Sequence, residues 1–462
     1  MVKRPVVYLI AIIVIVAIIA SAIILLSTRP APSPTTITVT KEVLTTSVVT
    51  VTKATPAPVE KVINILLPAG PEFEYIRDKA LDFEKAYGIS VRIEIAPRGI
   101  YTEKYIRELM EKRGIYDIVA VTPQDIPRGV SLKGLISLDE YLTPEEKKAF
   151  FKNVLAAYTY KGKLYALPFM ANARLLFYRK DLIDKFKDEF YKEFGYYLPD
   201  PAKQPWTWRD LLNVAKFFTK DLNGDGKIDI YGIFIPGVYW SLYSNYLEIL
   251  WSIGWGILDE NGNPIVQEKP GVEALKFLLE LTKYSPPGWE SMNFFDGDTL
   301  MKQGKIFCYF NWAYIASDFY NPEKAGKVYG KVGIGLPIAN RTYSAQLGGF
   351  GLAVTAGSKN KELAVKFIKW ASSKDVVKGL CLTGNIHVPR KDVAEDPELI
   401  SKFPWIQILK EAVAHSKPAP RVPYWPELKK AIADAILMAS RGEKTPEEAL
   451  EWLKNKILEM RS

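Results

Sequence analysis

Hydrophobic positions along this chain fall into two alternating registers. Val62-Ile63-Asn64-Ile65-Leu66-Leu67 is a short apolar run with the length of a buried strand. Phe73, Ile76, Ala80, Phe83 and Tyr87 then recur at helical spacing, and Gly88 stands where a helix end needs a left-handed residue. Val91, Ile93 and Ile95 alternate as a strand, a helix is expected over about 102–112, and Ile118-Val119-Ala120-Val121 is a further apolar strand. A β-α-β-α-β order predicts parallel strands with helices on the sheet faces, because parallel neighbours need a crossover. Open sheets of this kind take ligands at the carboxyl ends of their strands, so loops 68–71, 97–101 and 122–128 are expected around one rim. A second alternation of helices and strands follows Leu176 and includes the aromatic stretch 239–255 and a strand over 306–310. The economical architecture is α/β with two lobes, each a sheet flanked by helices, and a cleft between them.

Two segments break the pattern. Residues 5–26 are mostly β-branched and aliphatic and carry no charge, with Lys3 and Arg4 just before them. At 1.5 Å per residue the run spans roughly 33 Å, close to the hydrocarbon thickness of a bilayer. The basic pair favours the cytoplasmic side, which puts the remainder outside, on the outer face of the cell membrane. The expectation is an uncleaved anchor; a signal peptide cleaved after Ala20-Ser21-Ala22 is the alternative. Residues 27–60 carry prolines at 30, 32, 34, 56 and 58 around a threonine- and valine-rich stretch, which reads as an extended stalk, with a hairpin over 37–51 as the alternative. The expected division is therefore anchor or signal 1–26, linker 27–60, first lobe 61–170 with 335–374, and second lobe 171–334 with 375–462.

Composition narrows the function. The chain has 462 residues, 48% of them hydrophobic, enough for two ordinary cores. Its 61 basic and 52 acidic residues are interspersed, so the net charge of +9 forms no block of the kind that binds nucleic acid. Cys308 and Cys381 are too few for a disulfide framework and are expected as separately buried thiols, one bridge being the alternative. His387 and His415 fall in no zinc pattern and are expected at the surface or in turns. The sequence contains no G-x-S-x-G elbow and no phosphate-binding loop. The sharpest local motif is Asp221-Leu222-Asn223-Gly224-Asp225-Gly226-Lys227-Ile228-Asp229. Asp221, Asn223, Asp225, Lys227 and Asp229 occupy positions 1, 3, 5, 7 and 9 of a calcium loop, with glycine at 6. Position 12 is Gly232 and lacks the usual glutamate, so a structural calcium and a plain Asx-rich turn both stand.

Several segments together resemble the extracellular solute-binding family that includes maltose- and trehalose-binding proteins. They are Gly162-Lys163-Leu164-Tyr165-Ala166-Leu167-Pro168, then Leu176-Phe177-Tyr178-Arg179-Lys180-Asp181-Leu182, then Pro205-Trp206-Thr207-Trp208-Arg209-Asp210, and Gly348-Gly349-Phe350-Gly351-Leu352-Ala353-Val354 with 358–370. The resemblance covers roughly 61–460. It implies a two-lobed periplasmic-binding-protein-like fold (type II), crossed by the chain near 170, 335 and 375, with hinge closure over the ligand. It also implies a monomeric, non-catalytic component of an ABC importer, with a sugar as ligand and permease subunits and a separate ATPase chain as partners. No cofactor is required.

Sugars present hydroxyl edges and apolar C–H faces, so their sites combine flat aromatic rings with planar polar groups. Carried onto this sequence, the family pattern singles out Trp312 and Trp425 as stacking rings, with Tyr239 and Trp240 at a strand end. Asn172, Asn311, Gln124, Asp125 and Arg98 are the candidate polar contacts. Asn172 stands where the maltose-binding relatives carry a carboxylate, a departure that weighs against maltose itself. Gly348 and Gly349 would let backbone approach closely. Two other classes stay open: an extracellular glycosidase, whose carboxylate pair needs no motif, and a surface lectin.

Overall fold

The computed structural model describes residues 61–343 and 345–461. The expected anchor and stalk lie outside the described residues. Among those described, no helix is long and apolar enough to cross a membrane.

The first sheet begins as the hydrophobic pattern predicts. Strand β1 (Val62–Pro68) leads through helix α1 (Pro71–Tyr87) to β2 (Ser90–Ala96), and helix α2 (Arg98–Glu111) leads to β3 (Ile118–Val121). Pro71 sits at the first turn of α1, where its missing N–H costs nothing, and Gly88 ends the helix at φ 61° with its N–H on the Glu84 carbonyl. The face of α1 carrying Phe73, Ile76, Ala80 and Phe83 is buried. After helix α3 (Lys152–Ala157), the short strand β4 (Leu167–Pro168) completes the entry to the second lobe.

Strand β5 (Asn172–Arg179) opens the second sheet and is buried along its whole length. Leu175 and Phe177 point to one hydrophobic cluster and Leu176 and Tyr178 to another, as a two-sided strand requires. Helix α4 (Lys180–Phe194) and helix α5 (Trp208–Phe217) follow. Thr207 caps α5, accepting from Asp210 N at 3.2 Å while Asp210 Oδ2 accepts Thr207 N at 2.9 Å. Then come β6 (Tyr231–Phe234), helix α6 (Tyr239–Ser252), helix α7 (Phe294–Lys302), β7 (Ile306–Trp312) and β8 (Val332–Gly335). Strand β9 (Leu347–Gly348) still pairs with β5, so the second crossing falls at 349–350 and not near 335, and β10 (Gly351–Val354) is the strand that returns to the first lobe.

The first sheet has the order β2-β1-β3-β10-β4, with β1 parallel to β2 and β3, and β10 antiparallel to β3. The second has the order β8-β5-β7-β6, with β9 attached to β5.

The last third of the chain departs from the expected division. Residues 375–462 are expected together in the second lobe, yet, like helix α8 (Lys361–Ala371) of the expected first lobe before them, helix α9 (Lys374–Leu382) and helix α10 (Ile406–Ala414) pack in the cluster that holds the core of the first sheet. Lys391 N donates to Ala149 O at 2.8 Å, Phe151 N to Pro389 O at 3.2 Å, and Asn153 Nδ2 to Val413 O at 2.7 Å. Val376, Val377, Leu380 and Cys381 give α9 an apolar face that joins the cluster holding the first sheet's core, and with these hydrogen bonds to 149–153 the chain does not leave at 375. Helix α11 (Trp425–Ser440), which packs on α6, and helix α12 (Pro446–Arg461), which packs on α11, belong to the second cluster. The third crossing therefore falls between α10 and α11. There Arg421 Nη1 donates to the carbonyls of Ala156 at 2.9 Å and Ala157 at 3.1 Å, capping the end of α3.

Candidate functional site

Strand registers bring one edge of each sheet together. Gly351 pairs with Val121 and with Pro168, so the start of β10 and the ends of β3 and β4 share an edge. In the second sheet Arg174 pairs with Trp312 and Asn172 with Gly348, which sets the start of β5 against the end of β7. The short segments 169–171 and 349–350 join the two edges.

Trp312 sits at the centre of this junction, half-buried at the end of β7. Its indole lies against Gly348, where a Cβ would come 2.4 Å from the ring. Gly349 has φ +119°, and a Cβ there would stand 2.3 Å from the Met170 carbonyl. The two glycines thus admit a protein ring and a protein carbonyl to close quarters. Asn172 is buried, and its Oδ1 accepts Ala313 N at 3.2 Å, tying the first crossing to the strand that carries Trp312.

A buried polar network backs the ring. Arg174, 3% exposed, donates to Glu248 Oε2 at 2.9 Å, Asn245 Oδ1 at 2.8 Å and Phe310 O at 2.8 Å. Glu248 Oε1 accepts Gln346 N at 2.9 Å, and Gln346 Nε2 donates to Tyr243 Oη at 3.2 Å. Burial pushes the Glu248 carboxyl above its ordinary value, opposed by the Arg174 charge. The Tyr243 ring meets Trp425 edge-on at 5.2 Å. Trp425 is itself only 7% exposed, so it forms the wall of the second lobe with little of its surface open. Asn245 Nδ2 and Gln346 Oε1 are buried without a protein hydrogen-bond partner.

Around this centre the other expected residues separate. Tyr239 is exposed, with Lys429 Nζ 5.9 Å from its ring. Lys429, one turn after Trp425, is half-buried; burial pulls its amine below the ordinary value while Asp125 of the first lobe pushes it back. The Asp125 charge is thus felt on α11, across from the loop after β3. Asp125 itself is committed locally: Oδ1 accepts from Tyr105 Oη at 3.0 Å, and Oδ2 from Thr122 N at 2.8 Å and Thr122 Oγ1 at 2.7 Å. Gln124 is half-buried beside it. Arg98 stands 5.7 Å from the Phe350 ring and 3.8 Å from Glu72, a buried carboxyl in the first turn of α1 that desolvation pushes up. Trp240 packs against Phe294 at 4.9 Å and Phe295 at 6.3 Å, in an aromatic patch that includes Tyr314.

Asn311 does not face the junction. Strand alternation turns it to the side opposite Trp312, where it is fully buried and donates to Asp298 Oδ1 at 2.7 Å. Asp298 also accepts from Tyr309 Oη at 2.7 Å and from Tyr314 Oη, and burial pushes its carboxyl up to about 6.

Arg174, Glu248, Gln346, Tyr243, Glu72, Phe350 and Lys429 stand around the junction, and the sequence did not single them out as candidates. Arg174 carried a signal, since a guanidinium inside an otherwise apolar strand requires a buried partner. Gln346 and Lys429 carried none, because only the crossings bring them to the junction.

In the loop 221–229, Asp221 accepts the N–H groups of Asn223, Gly224 and Gly226 at 3.1, 2.7 and 2.7 Å, Asp225 accepts Lys227 N at 2.8 Å, and Asp229 accepts Leu222 N at 2.9 Å. No group of three or more His, Cys, Asp or Glu is placed to hold a metal ion among the described residues. Cys308 and Cys381 are both buried free thiols. His415 is exposed as expected, whereas His387 is buried and held neutral, its ring pulled down to about 4 by desolvation.

Two α/β lobes joined by three crossings, with a flat ring and polar groups where they meet, define the architecture of a two-lobed binding protein. The model of the bacterial extracellular solute-binding proteins matches residues 80–404, and the chain belongs to that family. A relative from Sinorhizobium fredii, named as a probable amino-acid ABC transporter periplasmic-binding protein, is 25% identical over 421 residues, 86% of this chain and 88% of the relative. The mannitol-binding protein of Pseudomonas aeruginosa is 30% identical over 219 residues, 46% of each. The structure of T. maritima MalE3 with maltose bound has a TM-score of 0.71 at 25% identity, covering 86% of this chain and 99% of that one.

Proposed function

We propose that this chain is the solute-capturing component of an ABC importer and that its solute is a polyol or sugar held where the lobes meet. The observation that carries the reading is the Trp312 indole seated on Gly348, beside Asn172 and Arg174 and in line with Gln346, Tyr243 and Trp425. A flat ring offers the C–H face of a sugar or polyol a stacking surface, and amide groups beside it can both donate to and accept from hydroxyls. The mannitol-binding relative and the maltose-bound neighbour agree with that solute class. Capture by lobe closure, delivery to permease subunits with a separate ATPase, monomeric action, and tethering outside the cell by residues 5–26 complete the proposal.

Binding without catalysis is favoured because Glu248 and Asp125, two acids near the junction, are already paired. Glu248 is held by Arg174 and Gln346 N, and Asp125 by Tyr105 and Thr122. A glycosidase needs one carboxyl free to donate a proton and another free to attack or to activate water.

Mass spectrometry of solute carried through purification, with a thermal-shift screen of polyols, mono- and oligosaccharides and amino acids, tests the reading. A true solute at 100 times its Kd stabilises the fold by about 2.7 kcal/mol. Stabilisation by a polyol or sugar is expected. Stabilisation by an amino acid alone would overturn the solute class, and turnover of an oligosaccharide would overturn the binding role.

A further inference from the structure

We infer that Asp298 is a positioning residue for the Trp312 ring, acting through Asn311. This inference rests on reading Trp312 as the stacking ring of the solute site.

The geometry is a relay of two fixed groups. Asn311 Oδ1 accepts the backbone N–H of Trp312 at 2.8 Å, and Asn311 Nδ2 donates to Asp298 Oδ1 at 2.7 Å. An amide presents an acceptor on one side and donors on the other, so a carboxylate facing Nδ2 leaves only the orientation in which Oδ1 meets Trp312 N. Flipping Asn311 would set its oxygen against a carboxylate oxygen and its NH2 against an N–H.

Asp298 is suited to act as the fixed end. It lies on α7, buried, and receives Tyr309 Oη from β7 at 2.7 Å and Tyr314 Oη from the turn after Trp312. Asn311 Nδ2 also lies 3.5 Å from the Phe294 carbonyl and 3.4 Å from Tyr314 Oη. The charged groups nearby are Lys302, one turn on along α7, and Asp318, which pairs with Lys302 at 2.8 Å. Burial holds the Tyr309 and Tyr314 phenols well above their ordinary values, so within the cluster Asp298 alone changes charge near neutrality, at about 6.

An ionised Asp298 accepts from all three donors at once. A protonated Asp298 must donate one hydrogen, which Tyr314 oxygen can take only by giving up its own hydrogen bond to the acid. The grip on Asn311, and through it on the Trp312 backbone, therefore loosens as the acid protonates. Asp298→Asn reproduces that loosened arrangement at every pH, since a carboxamide presents one acceptor and one donor side.

The test is fluorine NMR of the full chain labelled with 5-fluorotryptophan, with the Trp312 resonance assigned by its loss in Trp312→Phe. The Trp312 resonance is expected to titrate with a midpoint near pH 6 in the wild type and to stay near its acidic position in Asp298→Asn. A wild-type resonance that does not move between pH 5 and pH 8 overturns the inference even if the variant fails to fold. So does a titration that persists in Asp298→Asn. Calorimetry with mannitol and maltose as probes forms the second arm: Kd is expected to weaken about three- to tenfold from pH 7.5 to pH 5 in the wild type and to be flat in the variant. An unchanged probe Kd in Trp312→Phe would overturn the stacking role of Trp312, while the resonance alone still decides whether Asp298 positions it.

Discussion

Gly348 and Trp312 show how one missing side chain creates a binding surface. The ring occupies the volume that a Cβ would need, at 2.4 Å, so Gly348→Ala must push the indole away or distort β9. Gly348→Ala is expected to weaken solute binding at least tenfold while shifting the unfolding free energy by no more than about 1–3 kcal/mol, read by calorimetry and urea titration. Trp312→Ala is expected to abolish measurable binding and leave the circular dichroism spectrum intact. Glu248→Gln removes the charge that holds Arg174 in the interior, and a stranded buried guanidinium costs about 3–5 kcal/mol, which a urea titration would register. At this scale Trp312 was picked out by the family resemblance together with its place after an apolar strand. It misjudged Asn311, because alternation sends neighbours on a strand to opposite faces. Asp125 carried an equal signal for a turn and for a contact, and its carboxylate is taken up by Thr122 and Tyr105.

Among the elements, α7 and β7 hold a tension between stability and site geometry. Asp298 has its carboxyl raised from 3.8 in the unfolded chain to about 6 in the fold. A carboxyl raised in this way contributes stability that is complete below its unfolded value and is lost as pH climbs through its folded one. Between pH 4 and pH 8 the Asp298→Asn variant should therefore gain roughly 2–3 kcal/mol relative to the wild type. Buried His387 also titrates in this window, from a folded value of about 4, but it is common to both proteins and cancels in the difference. A constant difference across that range would contradict the burial of an ionisable Asp298. Elsewhere the apolar register was enough to read the elements. Phe73, Ile76, Ala80 and Phe83 are the buried face of α1, and Phe83→Ala should cost about 3–5 kcal/mol. The same register could not say which lobe α9 joins, because an apolar stripe records that a helix is covered without recording by what.

For the whole molecule, the alternation of helices and strands made two α/β lobes legible, and the ordered segments from 162 to 370 made the family legible. The site was less so. Its members come from the start of one strand, the end of another, two crossings and a C-terminal helix, and no local pattern joins Asn172, Trp312, Gln346 and Trp425. Closure of the lobes on a solute should draw the loop after β3 toward α11, where Lys429 already senses Asp125. Small-angle scattering is therefore expected to show a smaller radius of gyration with saturating solute than without it.

The central claim is that the solute lies against Trp312 where the two sheets' edges meet. A crystal structure of the full chain with the polyol or sugar selected by the thermal screen tests it most directly. A solute ring or carbon backbone within about 4 Å of the Trp312 indole, with hydroxyls reaching side chains of both lobes, is the predicted result. Solute density on an outer surface of either lobe, with Trp312 untouched, would contradict it.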